Sequence, residues 1–271
     1  MALKDITLGQ YFPGTTILHR LDPRAKLLLT VLYIVALFLA KNALGYALLA
    51  AALVAAILIS KVGFKVVFRG MKPVFFIVIF TAILNLLYTA GAGEPLLSFG
   101  IFRIYWEGVR SAIFMVLRIM LLISCTFLLT YTTSPILLTD ALENLMGPLR
   151  KIKVPVHELA MMMSIALRFI PTLIEETDKI MSAQKARGAS FDSGNLIQRA
   201  RALVPLLVPL FISAFRRADE LAVAMECRCY HGGEGRTRMR QLKYAGADYT
   251  ALVIGFTLCG GVAALNLLGV F

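Results

Sequence analysis

Long runs of apolar residues without charge recur along the chain, separated by short basic segments. An α-helix needs about 20 apolar residues to cross the hydrocarbon core of a bilayer, and four runs approach or exceed that length: residues 42–60, 73–93, 119–139 and 249–271. A fifth run, residues 27–40, is shorter; it either spans with Arg24, Lys26 and Lys41 reaching the two interfaces, or forms a hairpin with the next run. We therefore predict an all-α, polytopic membrane protein with about five transmembrane helices.

The composition supports this class. Hydrophobic residues make up 59% of the 271 residues, and 16% are charged, against roughly 25% in a soluble domain. The net charge of +12 could suggest nucleic-acid binding. Polytopic proteins, however, concentrate Lys and Arg on their cytoplasmic side, and we adopt this explanation of the basicity.

The distribution of basic residues predicts the orientation. Several basic residues precede the run 27–40 and several follow the run 42–60, whereas Lys41 stands alone between these two runs. We therefore expect the N-terminus to be cytoplasmic. Residues 94–107 are then external, and five spans leave the C-terminus external. We predict a membrane region at 1–133 with four helices, cytoplasmic-side coupling helices at 134–244, which contain 16 of the 28 basic residues, and a last transmembrane helix at 245–271.

Arg118 lies just before the run 119–139 and eleven residues after Glu107. Charges inside a membrane are candidates for function by default. Alternatively, the helix begins later and leaves Arg118 near the outer interface, and the sequence leaves both interpretations open.

Residues 134–244 contain two long amphipathic helices. Apolar or small residues recur every three or four positions over 159–180 and again over 203–225, which places them on one face of each helix. Charged residues occupy the other faces, so we expect neither helix to cross the membrane. The turn-prone sequence GASFDSGN joins them, and a shorter helix at about 135–149 precedes them.

The two amphipathic helices end in related sequences. Aligned at an offset of 41 residues, DKIMSAQKARGAS and DELAVAMECRCYH place Arg187 opposite Arg228. Each arginine lies seven residues beyond an apolar position, Ile180 or Leu221, and so extends the same helix face. Gly188 after the first arginine and CYHGG around the second indicate helix C-termini.

Small residues flank both arginines and distinguish them from ordinary helix-end cations. A cation at a helix C-terminus is stabilising by about 0.3–1 kcal/mol, which could explain a single arginine. Small neighbours also let a helix tip enter a partner's groove, where a guanidinium can bind a carboxylate through two parallel hydrogen bonds. We predict that two equivalent partner subunits are contacted by Ala186, Arg187, Gly188, Cys227, Arg228 and Cys229.

The sequences QKARG and MECRC resemble the paired motifs of the transmembrane T component of energy-coupling factor (ECF) transporters, the EcfT family. The resemblance covers nearly the whole chain and includes DPRAK before the run 27–40 and GGEGRT after the second motif. The resemblance implies a non-catalytic subunit in a bacterial plasma membrane. It would join two ABC-type ATPases, a homologous pair or a homodimer, to a membrane-embedded substrate-binding S component for uptake of vitamins or other micronutrients. It also implies that the six residues above contact the ATPases, which would bind ATP and Mg²⁺, and that the T component has no cofactor.

The second motif departs from the family pattern, because it reads Cys-Arg-Cys where Ala-Arg-Gly is usual. We therefore expect the left-handed turn that glycine favours to begin later, at Gly232. Cys227, Cys229 and His231 are residue types that bind zinc. Residues two apart on a helix point to different sides, however, and a fourth ligand is missing, so we predict no metal.

Two other function classes remain as alternatives, both acting without partners. A membrane enzyme acting on phosphorylated headgroups needs clustered carboxylates to hold metal ions, whereas Asp140 and Asp248 are isolated in the sequence. A secondary transporter needs paired halves with broken helices and polar groups near the midplane, where Asn85 and Asn266 are the notable candidates. The four cysteines are predicted to be free thiols.

Overall fold

The computed structural model describes residues 11–89, 97–99, 102–189, 191, 195–233 and 241–267. Over these ranges the chain is largely helical, and a short antiparallel hairpin pairs β1 (Leu97–Phe99) with β2 (Phe102–Ile104). In chain order the helices are α1 (Ile17–Arg20), α2 (Pro23–Leu39), α3 (Ala43–Ser60), α4 (Phe64–Tyr88), α5 (Trp106–Thr132), α6 (Pro135–Leu145), the 3₁₀ helix Gly147–Ile152, α7 (Val156–Ala186), α8 (Leu196–Glu226) and α9 (Gly246–Leu267). The predicted all-α class is confirmed.

Five of the described helices are long and apolar enough to cross a membrane, and four of them, α3, α4, α5 and α9, each overlap a predicted run. The fifth is α7, with a mean hydropathy of 1.3 in its most apolar part, the lowest of the five. By length and composition, the prediction that no helix of residues 134–244 could cross is therefore wrong for α7. The short predicted span forms α2, which has 17 residues.

The chain divides into two compact units. The body unit comprises Gly9–Leu138 and Leu242–Phe271, and the arm unit comprises Thr139–Gln241. Residues 90–93 of the predicted run 73–93, residues 94–96, 100 and 101 of the predicted external loop, and the last four residues of the predicted final span lie outside the described part of the chain. The assignment of residues 1–133 and 245–271 to the membrane, and of residues 134–244 to the cytoplasmic side, stays a prediction.

Within the body unit, α2 and α9 run parallel and are joined at both ends. At their N-terminal ends Asp22 contacts Asp248, and at their C-terminal ends the Asn266 side chain donates to the carbonyl oxygen of Leu39. Small and apolar side chains fill the space between these ends and α3. The buried cluster there consists of Ala36, Leu37, Ala40, Tyr46, Leu49 and Val262.

A network of buried polar groups, which we call the polar clasp, joins the N-terminal ends of α2 and α9. Asp22 caps α2 by accepting from the backbone N–H of Arg24 (2.9 Å), and its own N–H donates to Asp248 Oδ1 (2.7 Å). Asp248 Oδ2 accepts from the N–H of Ala245 (2.7 Å), and Asp248 is only 2% exposed. Asp248, isolated in the sequence, is therefore a buried acceptor for two backbone amides.

Arg24 and Lys26 complete the polar clasp. The Arg24 side chain donates to both Asp22 carboxylate oxygens (3.1 and 2.8 Å) and stacks over Tyr244, while Lys26 Nζ donates to the carbonyl oxygens of His19 and Thr132. Burial alone would raise the pKa of Asp22, but the hydrogen bonds and charge of Arg24 outweigh burial and hold that pKa below its ordinary value.

Arg118 lies well inside α5, because this helix begins at Trp106. The alternative that this helix begins after Arg118 is therefore wrong. Its Nε donates to the Tyr46 hydroxyl (2.9 Å) and its Nη2 to the carbonyl oxygen of Ala40 (3.4 Å), which caps the end of α2. A cation at a helix C-terminus is stabilising, so these contacts give Arg118 a structural role at the α2–α3 turn. The predicted run 119–139 is also broken, since α5 ends at Thr132 and α6 begins at Pro135.

Within the arm unit, the last turns of α6 contact the 3₁₀ helix and the start of α7. It ends at Leu145 rather than continuing to 149, and the chain turns into the 3₁₀ helix. Glu143 is buried and pairs with Arg150 (3.4 Å) and with His157 Nδ1 (2.9 Å) in the first turn of α7. These contacts hold the N-terminal end of α7, the first of the two long helices.

Candidate functional site

Helices α7 and α8 form an antiparallel hairpin, and the predicted site residues lie at its two ends. The Gln184 side chain, near the end of α7, donates to the carbonyl oxygen of Pro205, in the first third of α8 (3.3 Å). On the other side, the hydroxyl of Tyr230 donates to Met161 Sδ, in the second turn of α7 (3.0 Å). The C-terminus of α7 therefore lies beside the first third of α8, and the C-terminus of α8 lies beside the first turns of α7.

An ion pair joins α7 to α8 between these two ends. Arg217 Nη2 lies 2.8 Å from Glu176 Oε2, and the hydroxyl of Ser213 donates to Glu176 Oε1. Glu176 and Arg217 are 41 residues apart, which is the same offset that relates Arg187 to Arg228. The ion pair therefore joins two positions that are equivalent in the two helices.

The equivalence and the antiparallel direction together give the hairpin an approximate two-fold symmetry. Rotation about an axis near the ion pair exchanges α7 with α8 and one tip with the other. Each arginine lies eleven residues beyond its member of the ion pair, or about 16 Å along the helix at 1.5 Å per residue. The hairpin thus presents two similar tips in related orientations on opposite sides of the crossing.

The first tip, residues 186–189, ends α7 in a Schellman motif. Arg187 is the C-cap, and Gly188 follows in the left-handed region with φ of 89°. The N–H of Gly188 donates to the carbonyl oxygen of Lys185 (3.0 Å), and the N–H of Ala189 donates to that of Gln184 (3.0 Å). This pattern pairs the last carbonyl groups of the helix and holds Arg187 at the turn.

The second tip, residues 227–230, repeats this backbone pattern. The N–H of Cys229 donates to the carbonyl oxygen of Glu226 (2.8 Å), and the N–H of Tyr230 donates to that of Met225 (3.1 Å). Cys229 itself adopts the left-handed conformation with φ of 54°. The prediction that the left-handed turn begins only at Gly232 is therefore wrong: Gly232 has a positive φ as well, but Cys229 takes the place of Gly188.

All six predicted contact residues are exposed, and they form two separate groups of three. Within the described part of the chain, neither Arg187 nor Arg228 makes a side-chain hydrogen bond or an ion pair. Each guanidinium, with five N–H donors, is left available for an acceptor outside this chain. The arrangement can bind carboxylates.

The cysteines of the second tip are exposed thiols, and all four cysteines of the chain are free. Among the described residues, no three His, Cys, Asp or Glu side chains lie close enough to hold a metal ion. Cys227, Cys229 and His231 thus form no such group.

Sequence reasoning did not identify the Glu176–Arg217 ion pair as part of the site. The offset of 41 residues could have indicated it, because the offset relates a glutamate to an arginine near the middle of two helices of opposite direction. The antiparallel direction of α7 and α8 could not be predicted from the sequence, because it depends on contacts between residues far apart in the chain.

We expect glycine at position 229 to stabilise the second tip. A residue with a Cβ in the left-handed conformation costs roughly 1–2 kcal/mol, so Cys229→Gly should slow hydrogen exchange of the Tyr230 amide by about fivefold or more, at a factor of ten per 1.4 kcal/mol. Exchange is measured by mass spectrometry on the peptide that contains residues 225–233. Gly188→Cys is the matched reverse change and should speed exchange of the Ala189 amide. Unchanged exchange in both variants would contradict the strain at Cys229.

Comparisons with known proteins find similar chains of one family. The family model described as CbiQ, cobalt transport protein, matches residues 14–239. The energy-coupling factor transporter transmembrane protein EcfT of Clostridium kluyveri is 56% identical over 256 residues, which cover 94% of this chain and 95% of that protein. The EcfT protein of Bacillus subtilis is 51% identical over 251 residues, covering 93% of this chain and 94% of its own length.

Proposed function

The chain belongs to the family of energy-coupling factor transporter transmembrane proteins, EcfT, and on that premise we propose that it transmits the motion of two ATPase subunits to a substrate-binding subunit. As an EcfT protein it is the transmembrane component of an energy-coupling factor transporter, a complex with other subunits. The two ATPases supply the ATP hydrolysis, and the S component binds the vitamin or other micronutrient that is imported.

The observation that carries this proposal is the pair of matching tips. Two Schellman ends present Arg187 and Arg228 to solvent, each without a partner in the described part of the chain. Interface arginines that enter a groove are frequent binding hot spots. The two tips would each place one guanidinium in a groove of one ATPase.

The approximate two-fold symmetry of the hairpin supports two related ATPases as partners. A dimer of identical or homologous subunits has the same surface patch twice, related by a two-fold rotation. A single chain can engage both copies in the same way only if it has two similar surfaces related by a similar rotation. The α7–α8 hairpin has this property, which a single tip or two parallel helices would lack.

The first halves of α7 and α8 support contact with an apolar partner. Large apolar side chains there are exposed, and they include Leu159, Met162, Met163, Leu203, Val204 and Leu207. Methionine adapts to partners of different shape. We assign this surface to the S component and the adjoining lipid, which also accounts for the apolar composition of α7.

We propose that the N-terminus faces the cytoplasm and the C-terminus the outside of a bacterial plasma membrane. The basic segments on the N-terminal side of α2 support this orientation. Since α9 runs parallel to α2, both helices enter the membrane from the same side, and α9 leaves the C-terminus on the opposite side.

Alkylation of the native cysteines tests whether the second tip is docked. Cys227 and Cys229 are exposed in the isolated chain, so both should react readily with a soluble maleimide. In a complex with the ATPases, their grooves would cover the tip, and we expect alkylation to slow by at least about tenfold, since docked hot-spot residues are shielded from water. Modification of each cysteine is measured by peptide mass spectrometry.

Three controls separate docking from general protection. Ala186→Cys places a thiol on the first tip and should be protected to a similar extent. Glu220→Cys places an exposed thiol on α8 before the tip and should stay reactive, and addition of ATPases that lack the groove-forming region should protect none. Equal alkylation of the tip cysteines in the isolated chain and the intact complex would refute the proposed docking.

A further inference from the structure

The ion pair between Glu176 and Arg217 has a position that general helix stabilisation does not explain. It joins the two equivalent positions of the hairpin, and each tip lies the same eleven residues beyond it. Of the ion pairs within the described ranges, it is the one that joins α7 to α8. The crossing of the two helices therefore coincides with a directional, charge-assisted contact.

The crossing controls how far apart the two tips are. Helices that pack through apolar side chains have crossing angles that scatter by about 15–20°. At about 16 Å from the crossing, a rotation of about 15° displaces a tip by about 4 Å, which is more than the length of a hydrogen bond. Both arginines can reach two fixed grooves together only if this rotation is restricted.

We propose that Glu176, Arg217 and Ser213 form a pivot that fixes the crossing angle of α7 and α8, and with it the separation of Arg187 and Arg228. Glu176 is bound through both carboxylate oxygens, one to Arg217 and one to Ser213. Two bonds to a planar carboxylate fix its orientation as well as its distance. The pivot residues are positioning residues: they act through the two tips, and their role in transport rests on the function proposed above.

The symmetry of the hairpin provides a matched rescue experiment. Thr172 lies 41 residues before Ser213, so α7 has a hydroxyl at the position equivalent to the one on α8. In the double variant Glu176→Arg with Arg217→Glu, the carboxylate introduced on α8 should face both the guanidinium introduced on α7 and the hydroxyl of Thr172. The exchanged pair would restore the pivot in the opposite direction.

Distance measurement between the tips tests the pivot without any ATPase. Nitroxide labels are attached to Cys227 and to the cysteine of Ala186→Cys, in a chain with Cys125→Ala, Cys229→Gly and Cys259→Ala, and the distance distribution is measured by pulsed electron paramagnetic resonance. We expect a narrow distribution in the parent chain. Glu176→Gln or Arg217→Gln should broaden or shift it by about 1–3 Å, because a rotation of about 15° moves each tip by about 4 Å but mainly across the line that joins the two tips, and the charge exchange should restore it.

The neighbouring residues Glu175 and Arg216 provide the control, because they lie beside the pivot residues in the sequence and neither forms an ion pair within the described ranges. Glu175→Gln and Arg216→Gln remove the same charges and should leave the distribution narrow. Unchanged distances in the two pivot variants, or equal broadening in the control variants, would overturn the pivot.

Transport measurements then connect the pivot to function. We expect Glu176→Gln and Arg217→Gln to lower ATP-driven uptake in reconstituted vesicles by about fivefold to tenfold, within the range of coupled pairs, and the charge exchange to recover most of it. If the distances change and uptake does not, the pivot has no role in coupling. If the parent chain fails to bind ATPases, the proposed function fails, while the distance measurement still decides whether the pivot exists.

Discussion

Replacement of Arg187 and Arg228 together by alanine should abolish association with the ATPases and ATP-driven uptake, while the protein still inserts into the membrane. Both arginines are exposed and unpaired within the described chain, so their removal costs the isolated protein little. Removal of one member of a buried, hydrogen-bonded charge pair at an interface costs about 2–5 kcal/mol, or a factor of roughly 30 or more in affinity for each tip. Co-purification with the ATPases and uptake into reconstituted vesicles measure the effect.

Control variants distinguish an arginine that binds an ATPase carboxylate through two hydrogen bonds from an arginine that only stabilises its own helix end. Arg168→Ala with Arg216→Ala removes two arginines from the same helices and should leave the complex intact. Arg187→Lys with Arg228→Lys keeps the helix-end charges but loses the planar fork, and we expect most of the loss to remain. Uptake at the parent rate by the double alanine variant would exclude docking through the arginines, and full activity of the double lysine variant would exclude the forked contact.

The ends of α7 and α8 were predictable from the sequence because helix ends depend on local residues. Gly188 supplies the left-handed conformation, and the chain beyond it cannot continue the helix, so the prediction of a helix end at Arg187 is confirmed. At the second tip the same reasoning placed the turn too late. Hydrogen bonds from Cys229 and Tyr230 to the last turn of α8 outweigh the strain at Cys229.

The pairing of distant segments was not predictable in the same way. Asp22 and Asp248 are 226 residues apart in sequence, and no local pattern relates them. Arg118 directly precedes the charge-free run 119–139, which suggested a late helix start. Its actual partners, Tyr46 and Ala40, belong to α3 and to the end of α2, so the structure satisfies the charge through contacts that a search for charge-free runs does not consider.

The two-fold relation of the tips depends on one local and one distant property. The repeat at 41 residues is visible in the sequence and makes the tips similar. The antiparallel contact of α7 with α8, seen in the bonds of Gln184 to Pro205 and of Tyr230 to Met161, places them on opposite sides. Similar tips on parallel helices would reach one side of the hairpin, where two symmetry-related grooves could not both receive them.

Asp248→Ala should destabilise the protein more than any other single change in the polar clasp. Asp248 is 2% exposed and accepts from the backbone N–H groups of Asp22 and Ala245. A buried donor left without an acceptor costs about 1–3 kcal/mol, so two of them give a loss of about 2–6 kcal/mol in the free energy of unfolding. At about 2–4 °C per kcal/mol, the melting temperature should fall by about 4–24 °C. Thermal unfolding of the detergent-purified protein measures this fall.

Asp248→Asn keeps one oxygen acceptor and should lose about half as much, because only one of the two backbone N–H groups is left unpaired. Asp219→Ala removes an exposed aspartate from α8 and should leave the melting temperature unchanged. The polar clasp joins the first turns of α2 and α9, so the loss should also appear locally, as faster hydrogen exchange at Asp22 and Ala245 in the asparagine variant. A melting temperature that is the same for Asp248→Ala and the parent chain would mean that other contacts hold these helix ends together.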